Sequence, residues 1–208
     1  MCIRDGDRAL LLDAGSGLPR AELDGVRELH VVLTHFHPDH VIGLHAVPSL
    51  PVRPTIWAPG ALAYSRPSEE ILAPLRSSPL SPFTREALGP VRELSARQVI
   101  GGFEVTARVQ ERHHDPTAGI RVGDFLALIT DTGYDPGSGP FARGVTHLLH
   151  EAWSLDDDPS AADAARVFRE SGAGTLTLIH LDPRLADPGA LVAAAAPAQL
   201  GYDGLVLE

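Results

Sequence analysis

The chain has 208 residues, 44% of them hydrophobic, a formal net charge of −10 and basic residues that are all arginine. That length buries roughly 70% of the unfolded surface in one domain or two intimately packed halves, and the composition excludes a disordered chain. The negative charge disfavours a large nucleic-acid partner, which calls for a basic stripe, whereas these arginines stand singly or in isolated pairs. The single Cys2 excludes an internal disulfide and fits a reducing cytoplasm. Arg4, Asp5 and Asp7 stand where a signal peptide needs an apolar core. The Ala-rich run Leu191 to Leu200 is too short for a bilayer and is interrupted by Pro197. The expectation is a cytoplasmic protein with a small-molecule substrate and no membrane partner.

In chain order, Ala9–Leu12 reads as a strand ending in Asp13-Ala14-Gly15, and Leu29–Leu33 as a second strand. A short helix is expected over His40–Val47 and a strand over Pro54–Trp57. From Ala58 to Arg97, Pro59, Pro67, Pro74, Pro79, Pro82 and Pro90 break the pattern into short helices and loops. This segment is expected to be an insert covering the site, as a lid or as the contact of a homodimer. Strands follow at Phe103–Val109, Ile120–Val122 and Phe125–Ile129, the last two joined by a Gly123-Asp124 turn. Then come a strand at His147–His150, a helix at Ser160–Glu170 capped by Ser160 with Asp163, a strand at Thr175–Ile179, a helix at Pro188–Ala195 and a short strand at Leu205–Leu207. Leu10-Leu11-Leu12-Asp13-Ala14-Gly15 and Leu128-Ile129-Thr130-Asp131-Thr132-Gly133 form a weak repeat. Two similar β-rich halves with outer helices predict an α/β fold, a four-layer αββα sandwich, with a site where strand ends converge.

The chemistry is concentrated in Thr34-His35-Phe36-His37-Pro38-Asp39-His40, which follows the second strand directly. Three imidazoles and a carboxylate within six positions suit zinc, manganese or iron, and would be costly as packing residues. Two divalent ions, zinc foremost, are the natural reading. His35 and His37 lie two apart and can face one ion, while Asp39 and His40 follow the turn at Pro38 and face another. Further candidates sit at other strand tips: His113 and His114, Asp131, and His180. Asp131 has two carboxylate oxygens and could bridge both ions. His30, His45, His147 and His150 are read as structural or surface residues, and Arg121 and Arg184 as groups that could meet an anionic substrate or stand as surface charges.

Over nearly its whole length the chain resembles the metallo-β-lactamase-fold hydrolases, with Asp13, the histidine motif, a lone His, Asp131 and His180 in order. Within them it is most similar to the ribonuclease Z and phosphodiesterase branch. His113-His114-Asp115-Pro116-Thr117-Ala118-Gly119 resembles that branch's third motif, in which the ligand stands six residues before the Gly, which selects His113. Leu148-Leu149-His150-Glu151-Ala152-Trp153 resembles its His-Glu-Ala-Thr run. The resemblance implies a dinuclear hydrolase in which His35, His37 and His113 hold one ion, Asp39, His40 and His180 the other, and Asp131 bridges. A hydroxide shared by the ions would attack a small ester, a phosphodiester in the first place. Asp39 and Glu151 are the candidate catalytic residues, Asp39 to orient the hydroxide or take its proton, Glu151 to fix ligand loops as Asp13 does or to stand as a structural partner. Two departures argue against transfer-RNA processing: Asp158 stands where the branch carries a proton-donating His, and there is little room for an RNA-gripping arm. Asp131 in place of Cys argues against a true zinc β-lactamase. The competing readings are a thioesterase or lactonase at the same site, a mononuclear iron oxygenase held by His35, His37 and His113, and a metal-stabilised binding module.

Overall fold

A computed structural model describes residues 1–77, 80, 85–155, 160–203, 205 and 207. The chain divides into two compact units, Met1–Glu104 and Val105–Glu208.

The first unit is built on a five-stranded sheet of order β1-β2-β3-β4-β5. Strand β1 (Cys2–Asp5) returns through Gly6, at φ 60°, into antiparallel β2 (Arg8–Leu12). From there β3 (Glu28–Val32), β4 (Thr55–Ala58) and β5 (Val91–Glu93) add in parallel. Leu10, Leu11 and Leu12 are consecutive and all buried, as expected where a parallel strand is covered on both faces. Ala9, Leu11, Val31, Leu33 and Ile56 pack in one core with Leu18, Leu44, Val47 and Leu72 from the connecting segments.

The second sheet has the order β12-β11-β10-β9-β8-β7-β6. Its strands are β6 (Arg97–Ile100), β7 (Phe103–Gln110), β8 (Thr117–Val122), β9 (Leu126–Ile129), β10 (His147–Glu151), β11 (Thr175–Ile179) and β12 (Ala198–Leu200). β7, β8 and β9 are antiparallel, and β10, β11 and β12 then continue in parallel from β9. The sequence repeat is therefore a repeat of pairing. In each half a strand ending in Asp-x-Gly has one antiparallel neighbour and, on its other side, a run of three parallel strands.

After the short helix α4 (Ser138–Phe141), the helix α5 (Ala161–Ser171) is set by its ends. The Ser160 side chain accepts the Asp163 N–H at 3.2 Å, and the Asp163 carboxylate accepts the Ser160 N–H at 3.0 Å. Gly172 ends the helix at φ 64°. Ala161, Ala164, Ala165 and Val167 are buried against Ile129, Leu148 and Leu176.

Several expectations need correction. The helix foreseen over His40–Val47 is a single turn, α1 (Pro38–Val41), followed by a 3-10 segment, Ile42–Ser49, that contains Pro48. Segment 58–97 does hold short helices, α2 (Gly60–Tyr64), α3 (Ser68–Leu72) and 3-10 turns at Ala73–Arg76 and Arg85–Leu88. Its end is not part of a cover, however: Val91–Glu93 pairs with β4, and Arg97 begins β6. The final strand is Ala198–Leu200 rather than Leu205–Leu207; Leu205 and Leu207 are not in a strand, and Val206 lies outside the described residues. Asp157, Asp158 and Pro159 also lie outside them. Among the described residues no helix is long and apolar enough to cross a membrane.

Candidate metal centre

The histidine motif leaves β3 at Thr34, and its geometry is fixed by the preceding turn. Asp13 sits at the end of β2 with φ 61°. Its carboxylate accepts the Thr34 N–H at 2.7 Å and approaches the Thr34 hydroxyl at 3.0 Å with each oxygen. On the other side it lies 2.8 Å from His40 Nδ1. Two glycines let the loops close together. A Cβ on Gly15 would stand 2.6 Å from the Asp39 carbonyl oxygen, and one on Gly43 would stand 2.1 Å from that of Gly15. The Ala14 N–H donates to the His40 carbonyl at 2.8 Å, and the Gly43 N–H to that of Ala14 at 2.7 Å.

These contacts dictate tautomers. An Asp13 carboxylate can only accept, so His40 carries its proton on Nδ1 and presents the lone pair of Nε2. The Thr34 hydroxyl donates to Asp13 and accepts from His35 Nδ1 at 3.0 Å, which leaves His35 Nε2 as that ring's lone-pair nitrogen too. The ring of His35 lies 4.5 Å from that of His37 and 4.2 Å from that of His40, and His40 Nε2 is 3.3 Å from the Asp39 carboxylate. His35 and His40 are buried, while the Asp39 side chain is 59% exposed. The first unit thus brings His35, His37, Asp39 and His40 close together.

The second unit repeats the device. Asp131, at φ 51°, ends the run after β9, and His180, at φ 50°, follows β11. Asp131, Glu151 and His180 each offer a donor atom within 4.8 Å of the others. Glu151 is buried, and its two oxygens are divided: one is 3.1 Å from His180 Nδ1, the other accepts the Thr132 N–H at 3.0 Å. His180 therefore also carries its proton on Nδ1 and turns Nε2 toward Asp131, 3.7 Å from its carboxylate. Thr130 donates to the other Asp131 oxygen at 2.7 Å. Two carboxylates buried side by side repel unless a cation lies between them or one is neutralised, so the donor set fits a metal ion. Holding Asp13, Asp131 and His180 in the left-handed region costs about 1–3 kcal/mol each, the kind of strain that concentrates at functional sites.

His113 is half-buried in the loop after β7 and does not join that carboxylate–imidazole group. The loop is tied toward Asp131, since the Gly133 N–H donates to the Arg112 carbonyl at 2.9 Å. His114 is 89% exposed beside Asp115. His30 lies between Glu28 and the Trp57 N–H, His147 meets Thr175, and His150 bonds the Glu151 carbonyl, all in structural settings. Arg121 meets the Gly123, Phe141 and Arg143 carbonyls and Asp124, so its guanidinium is committed to the fold rather than to an anion. Arg184 forks onto Asp182. Sequence reasoning missed the orienting contacts of Thr34 and Thr130. The threonines directly precede a ligand candidate at a strand end, and that adjacency was the available signal. Trp153 holds its indole 5.4 Å from the His180 ring, tilted by 38°.

Residues 1–132 match the family model of the metallo-beta-lactamase superfamily. A ribonuclease Z of Streptomyces avermitilis is 25% identical over 259 residues, covering 96% of this chain and 85% of its own. One of Salinibacter ruber is 27% identical, covering 87% and 78%. Among solved structures, the metallo-beta-lactamase fold protein YhfI of Bacillus subtilis superposes with a TM-score of 0.78 at 20% identity, covering 100% of this chain and 90% of that one. A diphosphatase of the PhnP family gives 0.77 at 18% identity, covering 100% and 82%. These likenesses show the α/β metallo-β-lactamase fold expected from the sequence.

Proposed function

Because the chain belongs to the metallo-beta-lactamase superfamily and is one of its metal-dependent hydrolases, we propose that it hydrolyses a small phosphodiester at a dinuclear centre. His35, His37 and His113 would hold one ion, Asp39, His40 and His180 the other, with Asp131 shared. When bound, the ions supply Lewis acidity, which lowers the pKa of water to about 7 and offsets charge on the attacked ester. The observation that carries the reading is the pair of carboxylate–imidazole contacts, Asp13 with His40 and Glu151 with His180, each of which occupies Nδ1 and leaves Nε2 as the nitrogen that would ligate an ion.

The chain's own residues have separate tasks. Asp39, acidic and exposed beside His40, orients the attacking water and receives its proton. Glu151 has both oxygens engaged in a buried position and so acts by positioning His180 and the Thr132 backbone, not by touching substrate. A net charge of −10 favours a small substrate over a folded RNA.

The test is hydrolysis of bis(p-nitrophenyl) phosphate beside the metal content of the same preparation. His37→Ala and Asp131→Ala should each lower turnover by at least about a hundredfold, since ligand loss exceeds the roughly 10–100-fold effect of losing an outer-shell partner. Undiminished turnover in both variants contradicts the reading. A carbonyl ester is the second reading, favoured by Asp158 in place of a proton-donating His, because a thiolate leaves without protonation more easily than an alkoxide. A kcat/KM for a thioester that exceeds the phosphodiester value would select it.

A further inference from the structure

We propose that Trp153 is a specificity-determining residue: its indole forms a shelf beside His180 that takes a planar ring of the substrate, an aryl group or a nucleobase. The proposal rests on the hydrolase reading of this site and narrows its substrate class.

Trp153 stands where the resembling His-Glu-Ala-Thr run has its small polar residue. Its backbone is fixed against the His180 loop on both sides: the Ala152 N–H donates to the Ile179 carbonyl at 3.1 Å, and the Asp182 N–H donates to the Trp153 carbonyl at 3.2 Å. These bonds carry the β10–β11 pairing beyond the strands and hold the indole next to the imidazole. Glu151 lies on His180 Nδ1 and Asp131 toward Nε2. Trp153 is aromatic, and it is half-buried where Glu151 and Asp131 are buried.

The chain's other tryptophan makes the contrast. Trp57 gives its N–H to His30 at 3.3 Å, whereas the Trp153 indole N–H makes no hydrogen bond among the described residues. A half-exposed indole with an uncommitted N–H joins apolar area to a polar edge, the combination suited to a planar polar ligand. Leu155, two residues on, is also exposed. A residue that served only to brace His180 would need no surface open to solvent.

The test compares p-nitrophenyl diesters that share a leaving group and differ in the retained one: methyl, phenyl and thymidine 5′-phosphoryl. The intact protein should prefer the phenyl and thymidine esters by about tenfold in kcat/KM, most of it in KM, in keeping with the stacking of one ring on an aromatic side chain. Trp153→Ala should bring all three within about twofold, and Trp153→Phe should restore most of the preference. A preference that survives Trp153→Ala, or an equal fall for all three esters, overturns the proposal. A second measurement does not need turnover and separates failure of the shelf from failure of the hydrolase reading. In a Trp57→Phe background, Trp153 fluorescence should be quenched saturably by thymidine 5′-monophosphate and not by ribose 5-phosphate. Equal or absent quenching by the two also overturns it.

Discussion

Asp13 and Glu151 stand, one in each unit, beside the Nδ1 of a candidate ligand histidine. Each carboxylate accepts the Nδ1 proton of a histidine and a backbone N–H of a neighbouring segment, so one side chain fixes a ring, its tautomer and a loop together. Glu151→Gln keeps the shape but has one acceptor oxygen for two donors. It should weaken metal binding by about 10–100-fold in a competitive chelator titration while the far-ultraviolet spectrum stays unchanged; unaltered affinity would make Glu151 a packing residue. His150 lies one position away and behaves differently. Burial lowers its pKa below the ordinary imidazole value, outweighing its hydrogen bond to the Glu151 carbonyl. The folded state therefore keeps the ring neutral while the unfolded chain takes up a proton near pH 6.5. The stability tied to this group is whole above that pH and is lost as pH falls through and below it. The urea midpoint should decline between about pH 7 and 5, and His150→Gln should flatten that decline; an identical slope in the variant counts against the assignment.

The elements succeeded or failed as sequence readings for separate physical reasons. The helix α5 was legible because Ser160, Asp163 and Gly172 mark its ends and its apolar residues recur at helical spacing. Strands β2, β3, β9, β10 and β11 were legible because buried parallel strands are short unbroken apolar runs. Strand β1 was missed, since Cys2–Asp5 is an exposed edge with two charges in four residues. Strand β5 was missed because three residues between Pro90 and Leu94 carry too little pattern. The helix after the motif was overextended: Val41, Ile42, Gly43 and Val47 are poor helix formers, and Gly43 packs against the Ala14-Gly15 turn. Gly43→Ala would drive a methyl into the Gly15 carbonyl and should destabilise by about 1–3 kcal/mol in urea unfolding. Ser160→Ala, which removes only a cap, should cost about 1 kcal/mol. If the two rank in the opposite order, the close approach at Gly43 is not what positions the motif.

Across the whole molecule, the two units carry the same arrangement: a strand ended by an aspartate in the left-handed region, with an antiparallel neighbour on one side and a parallel one on the other, and a carboxylate–histidine pair at the strand ends. The repeat of Asp13-Ala14-Gly15 and Asp131-Thr132-Gly133 announced this in the sequence, and candidate donors stand out in each half because metal-ligand chemistry admits few side chains. The orienting threonines were not readable, because Thr at strand ends has many structural uses. Ions that bind the folded chain and not the unfolded one raise stability in proportion to the logarithm of their concentration over Kd. Exhaustive chelation should therefore lower the melting temperature, and zinc or manganese should restore it; a melting temperature indifferent to both removes the metals from the folded state. The most direct measurement is the metal-to-protein ratio of the purified chain by elemental analysis, taken on protein that turns over bis(p-nitrophenyl) phosphate. A ratio close to two transition-metal ions per chain is expected from the donors gathered in the two units, whereas active protein with about one ion or fewer contradicts a dinuclear hydrolase.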